Sequence, residues 1–219
     1  MHPNTRSAAL LCTLVMGLGF SGCSSPDSEA DSGFSYTSIP MAKGTAAAGE
    51  GSSISFRGSP LALVGLGISQ GDSLRSVTVA KGDLSLHDIT KTEGKIRVIS
   101  VVPSLDTKVC EQQTHYLSEK NKGLDANVDL YTISIDTPFA QARFAKEARI
   151  QNVTFLSDYR EAAFGRTHGL LLEGPHLLAR AVLVVDQQNI IRYLQVTPDL
   201  GNMPDMEAAF AAARALAQG

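Results

Sequence analysis

Ten residues near the middle of the chain, VVPSLDTKVC at 101–110, combine residue types and a spacing that could do chemistry. A β-branched run ends at Val102, Pro103 turns the chain, and Thr107 and Cys110 stand three residues apart where a helical pattern begins. At a helix start the first backbone N–H groups lack intrahelical partners and the positive end of the dipole lies beside them. A sulfur placed there is favoured as the thiolate, its nucleophilic form. A hydroxyl one turn before that sulfur reaches both the thiolate and an incoming ligand. A lone cysteine on a helix is ordinarily packing material; the pattern around Cys110 sets this one apart.

The other reactive residue types do not assemble by spacing. His115 follows Cys110 by five residues, about 140° round a helix, and reads as a surface histidine turned away from the sulfur. His168 and His176 are isolated, so no metal site is expected. Asp106 and Asp136 sit at strand-to-helix turns and read as helix caps, while Glu111 and Gln113 suit the helix dipole. Arg143 reads equally as an exposed helix residue or a contact of the site. The three cysteines, Cys12, Cys23 and Cys110, include no C-x-x-C pair, which excludes a disulfide scaffold and a dithiol reductase. A net charge of −3 without clustered Lys and Arg excludes a nucleic-acid partner. Hydrophobic residues at 43% supply a real core and exclude wholesale disorder.

The elements that must position Thr107 and Cys110 can be read in order. Residues 54–56 and 61–64 flank the turn-like RGSP at 57–60 and predict a β-hairpin. Strands follow at 77–80 and 96–102, and a helix at 110–122 closes on Gly123. A strand at 128–135, a helix at 139–148 with Pro138 in its first turn, a strand at 153–156 and a helix at 161–168 come next. Residues 181–185 and 190–196 form a second hairpin, and an Ala-rich helix spans 206–217, with Met206, Phe210 and Leu216 as packing residues. Alternating strands and helices with a closing hairpin predict an α/β, thioredoxin-like fold with a mixed central sheet and an N-terminal β-hairpin.

The N-terminus reads differently. Residues 1–7 are polar and carry Arg6, residues 8–20 are apolar, and FSGC follows at 20–23. The apolar run is shorter than the ~20 residues that span a bilayer, which describes an export signal. FSGC resembles a bacterial lipobox, making residues 1–22 a lipoprotein-type signal peptide and Cys23 the lipidated first residue. Ser24 resembles the sorting signal for the outer membrane, which places the chain on the periplasmic side of the cell envelope. Residues 23–52 are rich in Ser, Gly and Ala and read as a flexible tether of about 30 Å, leaving 53–219 as the folded domain.

The P-x-x-x-T-x-x-C of Pro103, Thr107 and Cys110 resembles the active-site signature of the peroxiredoxins, and PSLDTKVC resembles the thiol peroxidase subfamily in particular. IDTPFAQARF at 135–144, GP at 174–175 before LARAV at 178–182, and ISFRGSP at 54–60 extend the resemblance over roughly 53–217. It implies that Cys110 is the peroxidatic nucleophile, that Thr107 holds thiolate and peroxide by hydrogen bonds, and that Pro103 walls the pocket. Arg180 would supply the guanidinium that stabilises charge on the sulfur and on the breaking O–O bond. No cofactor is implied. The substrate is a hydroperoxide, and the resemblance implies a homodimer. The subfamily's resolving cysteine directly follows the Phe of the second motif; here that residue is Ala145. The expectation is therefore a one-cysteine cycle with an external thiol reductant, thioredoxin-like or of low molecular weight. The alternative is a non-enzymatic lipoprotein that keeps the fold as a peroxide sensor or binding module.

Overall fold

The computed structural model describes residues 33–218. In chain order the elements are β1 (Ser53–Phe56), β2 (Ser59–Val64), β3 (Thr78–Ala80), β4 (Leu86–Asp88), β5 (Ile96–Val101), α1 (Lys108–Glu119), β6 (Val128–Ser134), α2 (Pro138–Glu147), β7 (Thr154–Ser157), α3 (Ala163–His168), β8 (Leu171–Leu172), β9 (Ala181–Val185), β10 (Ile191–Val196) and α4 (Met206–Ala217). Seven strands form one mixed sheet in the order β10-β9-β5-β6-β7-β3-β4, with β5, β6 and β7 parallel. The N-terminal hairpin β1–β2 and the short β8 make a separate three-stranded sheet. The α/β architecture, the mixed sheet and the hairpin agree with the sequence reading.

Every residue of β5 is buried because both faces of the sheet are covered, which is why its sequence runs apolar instead of alternating. Its side chains still alternate by face. Ile99 and Val101 join the core under the N-terminal hairpin and Phe164 of α3, whereas Ile96 and Val98 join Leu117 of α1 and Phe210 of α4 on the other side. The antiparallel register between β5 and β9 pairs Val101 with Ala181, so the residue before Ala181 stands at the C-terminal tip of β5. That tip leads into the loop that carries Pro103.

The C-terminal boundary of α1 differs from expectation. α1 ends at Glu119 instead of at Gly123, because the Asn121 side chain donates to Ser118 O at 2.7 Å and Leu117 O at 3.3 Å and takes up the last carbonyls. Gly123, at φ 78°, instead begins a single 3-10 turn. The short strands β4 and β8 are absent from the sequence reading; at three and two residues they show no readable alternation.

The largest difference concerns the tether. The expected signal peptide (1–22), the expected lipid site Cys23 and residues 24–32 lie outside the described residues, but from Phe34 onward the segment belongs to the compact body. Ala42 N donates to Met203 O at 2.7 Å, Ala46 N to Val196 O at 2.9 Å, and Gly49 N to Gly169 O at 2.9 Å. At that last crossing a Cβ on Gly169, whose φ is +65°, would stand 2.4 Å from Gly49 N, so only glycine allows the approach. Residues 34–52 carry few large apolar groups because backbone hydrogen bonds and a few aromatic contacts hold them down. Composition reports neither.

Candidate active site

Thr107 is the N-cap of α1, with extended backbone (φ −120°, ψ 142°), yet its side chain makes no capping bond. Its hydroxyl instead lies 2.9 Å from Cys110 Sγ and 3.2 Å from Ser104 O. The helix pitch makes this possible, since the cap residue and the third helical residue share one face. Cys110 is fully buried, against Val102, Leu105, Phe144 and Phe155.

Arg180, 2% exposed, reaches the sulfur from the tip of β9 with Nη2 at 3.4 Å. Two further acceptors fix its plane: Nε donates to Leu200 O at 3.0 Å and Nη1 to Gln113 Oε1 at 2.7 Å. Gln113 is itself fully buried, and its amide donates to Ser100 Oγ at 2.8 Å. Among the described residues no carboxylate pairs with this guanidinium, and a buried cation facing a sulfur in this way favours negative charge on that sulfur.

Pro103, Thr107 and Arg180 line a pocket of about 520 Å³ whose other walls are largely apolar, with Leu61, Leu177 and Leu200 among them, together with the charged Arg57 and Lys108. Pro103 is buried there, as a wall residue should be. The site therefore has a sulfur nucleophile, a hydroxyl and a cation converging at one point, beneath an apolar cavity roomy enough for an organic chain. Such a set suits attack on an electrophilic oxygen whose leaving oxygen takes on charge.

Four residues behave differently from their sequence reading; the first is Asp106, an exposed residue that leaves the cap position of α1 to Thr107. Gln113 was assigned to the helix dipole but orients Arg180; its i+3 spacing from Cys110, which sets both on one helix face, was the available signal. Asp136 does not cap α2, a task that Thr137 performs by accepting from Ala140 N at 3.3 Å; its carboxylate binds the loop before Thr107 instead. His115 is 6% exposed, not a surface residue, because Phe34 stacks on it at 3.9 Å and Glu119 bonds its Nδ1 at 2.8 Å. Arg143 is exposed. His168 is buried, with Nδ1 2.9 Å from Phe164 O, and His176 is exposed. Among the described residues no three His, Cys, Asp or Glu gather as metal ligands. Ala145 is half-buried on α2, one residue beyond Phe144.

Residues 69–210 match the Redoxin family. The thiol peroxidase of Halalkalibacterium halodurans is 40% identical over 163 residues, covering 74% of this chain and 98% of that protein. The thiol peroxidase of Streptococcus pneumoniae is 42% identical over 163 residues, covering 74% and 99%. Among solved structures, a peroxiredoxin-like protein from Aquifex aeolicus superposes with a TM-score of 0.70 at 31% identity, covering 79% of this chain and 99% of that one. Thiol peroxidase from Chromobacterium violaceum superposes with a TM-score of 0.64 at 19% identity, covering 74% and 95%, a likeness of the thioredoxin-like fold.

Proposed function

The chain belongs to the Redoxin family, and from that premise we propose that it reduces hydroperoxides through Cys110 in a one-cysteine cycle. It is a peroxiredoxin-type oxidoreductase, and relatives about 40% identical carry the name thiol peroxidase, which favours turnover over a sensor or binding role. The observation that carries the reading is the convergence of Thr107 Oγ1 at 2.9 Å and Arg180 Nη2 at 3.4 Å on one buried sulfur.

In the first step the Cys110 thiolate attacks the terminal oxygen of the hydroperoxide. The S–O bond forms as the O–O bond breaks, and the departing alkoxide or hydroxide takes a proton and leaves as alcohol or water. Thr107 donates to the sulfur before attack and to the peroxide during it. Arg180 spreads its charge over both oxygens as they separate. Pro103 keeps bulk water from the sulfur. Cys110 is left as a sulfenic acid.

Reduction requires two external thiols, because Ala145 stands where the subfamily carries its resolving cysteine. The first thiol displaces water from the sulfenic acid to give a mixed disulfide, and the second releases Cys110. The 520 Å³ pocket next to Thr107 and Arg180 supports organic hydroperoxides as substrates beside hydrogen peroxide. Residues 1–22 as signal peptide, lipid on Cys23, residence on the periplasmic side of the outer membrane and assembly as a homodimer complete the proposal.

The test is peroxide consumption by the purified full chain, comparing low-molecular-weight thiols with thioredoxin and with Cys110→Ser as control. Turnover sustained by a small thiol and abolished by the serine variant is expected. Turnover that survives the substitution refutes the mechanism, and one oxidation per Cys110 without turnover under any reductant refutes the cycle. An unmodified Cys23 in the membrane fraction would refute the anchor.

A further inference from the structure

Thr107 holds the sulfur only while the loop in front of it keeps its shape, and the side-chain ties of that loop run to one carboxylate. Asp136, just beyond β6, accepts from Ser104 Oγ at 2.7 Å through Oδ1. Through Oδ2 it accepts from Leu105 N and from Ser134 Oγ, both at 2.8 Å. Ser134 Oγ in turn accepts from Gln141 Nε2 of α2 at 2.9 Å, and the Asp136 carbonyl accepts from Ser157 Oγ of β7. The Asp136 carboxylate thus ties the active-site loop to β6, while its backbone carbonyl and Ser134 extend the network to β7 and α2.

Ser104 passes this constraint on. Its carbonyl accepts from Thr107 N at 3.3 Å and from Thr107 Oγ1 at 3.2 Å. The Thr107 hydroxyl has one proton and two acceptors, Ser104 O and Cys110 Sγ. Facing a thiol, it donates to Ser104 O and accepts from S–H. Facing a thiolate, it must turn its proton to the sulfur. Where Ser104 O stands therefore decides how readily the hydroxyl serves the charged sulfur.

We propose that Asp136 is a positioning residue for peroxide reduction, acting through Ser104 to aim the Thr107 hydroxyl at Cys110. Asp136 does not line the pocket and has no contact with the sulfur, so its effect travels by the chain Asp136–Ser104–Thr107–Cys110. The proposal rests on Cys110 being the peroxidatic residue.

The experiment measures the rate constant of Cys110 oxidation by hydrogen peroxide in the purified full chain, from quenched mass analysis of the Cys110 peptide, across a pH series. Asp136→Ala lowers the rate constant about tenfold or more, the worth of one hydrogen bond to a charged group, and moves the acid limb of the pH profile to higher pH. Asp136→Asn retains a rate within about threefold, since its amide can donate to Ser104 Oγ while its carbonyl still accepts from Leu105 N. Ser104→Ala keeps its own carbonyl but loses the tie to Asp136; it moves both readouts in the direction of Asp136→Ala and serves where that variant does not fold. A wild-type rate and profile in Asp136→Ala or in Ser104→Ala overturns the proposal. So does a slower rate with an unmoved pH profile, which marks a structural role alone. A wild-type chain that peroxide does not oxidise at Cys110 refutes the peroxidase reading itself, before any variant is compared.

Discussion

Replacing Thr107 with valine separates the chemistry of the site from its fold. Valine keeps the β-branched shape and the extended backbone of the cap position, and removes only the hydroxyl that lies 2.9 Å from Cys110 Sγ. Because that hydroxyl makes no capping bond and Thr107 is exposed, α1 loses no cap, and the cost in stability stays within about 0.5 kcal/mol. The sulfur loses a hydrogen bond that is charge-assisted in the thiolate, worth about 1.5–3 kcal/mol. Converted at 1.36 kcal/mol per decade, that is a loss of about 10- to 150-fold in the rate constant of peroxide reduction. The assay compares rate constants for Cys110 oxidation by hydrogen peroxide and an organic hydroperoxide with the melting temperature of each variant. Thr107→Ser, which restores a hydroxyl at the same carbon, recovers most of the rate. A valine variant within about twofold of wild type, or a serine variant no faster than valine, would refute the role given to the hydroxyl.

Arg180→Met removes the cation and leaves Gln113 Oε1 and Leu200 O without their donor. Peroxide reduction falls about 100-fold or more and stability drops by about 2–5 kcal/mol in denaturant titration, while Arg180→Lys, a single point of charge, recovers only part of either. His168 is fully buried, and burial pushes its pKa from 6.5 down to about 4. A depressed folded-state pKa means that the native state resists protonation, so its stability is whole above pH 6.5 and is lost as pH falls toward 4. Between pH 7 and 4.5 the group accounts for about 2–3 kcal/mol of acid destabilisation, which His168→Gln removes from the pH dependence of unfolding. An unchanged pH slope in that variant counts against the assignment. Phe34→Ala deletes the ring stacked on His115 at 3.9 Å and costs about 1–2 kcal/mol, a fall of several degrees in melting temperature. An unaltered melting temperature would show that residues near Phe34 do not hold to α1 in solution.

The strands and helices with strong periodicity, β5, β6, α2, β9 and α4, were legible because burial on one or both faces leaves a pattern in composition. The Thr107–Cys110 pair was legible for a related reason: a separation of three residues at a helix start is converted to proximity by helix pitch, whatever the rest of the molecule does. Arg180 was reachable only through a family resemblance. Asp136 and Gln113 were misassigned because a polar residue at a turn or in a first helical turn has a local partner available, and sequence shows only the local one. Residues 34–52 were read as a tether for the same reason, since backbone hydrogen bonds to Met203, Val196 and Gly169 leave no trace in side-chain types.

What the sequence determined alone was the α/β order of elements, the single reactive thiol in the folded part and the hydroxyl one turn before it. These are consequences of short-range geometry and of hydrophobic pattern. Tertiary structure decided the rest. The register that pairs Val101 with Ala181 delivers Arg180 to a sulfur 70 positions away. The meeting of strand ends lets Asp136 hold the loop, and the packing of Phe34 covers His115. The physical reason is one of range: a dihedral preference acts over a turn, whereas which distant polar group receives a given proton is settled only when strands have found their register.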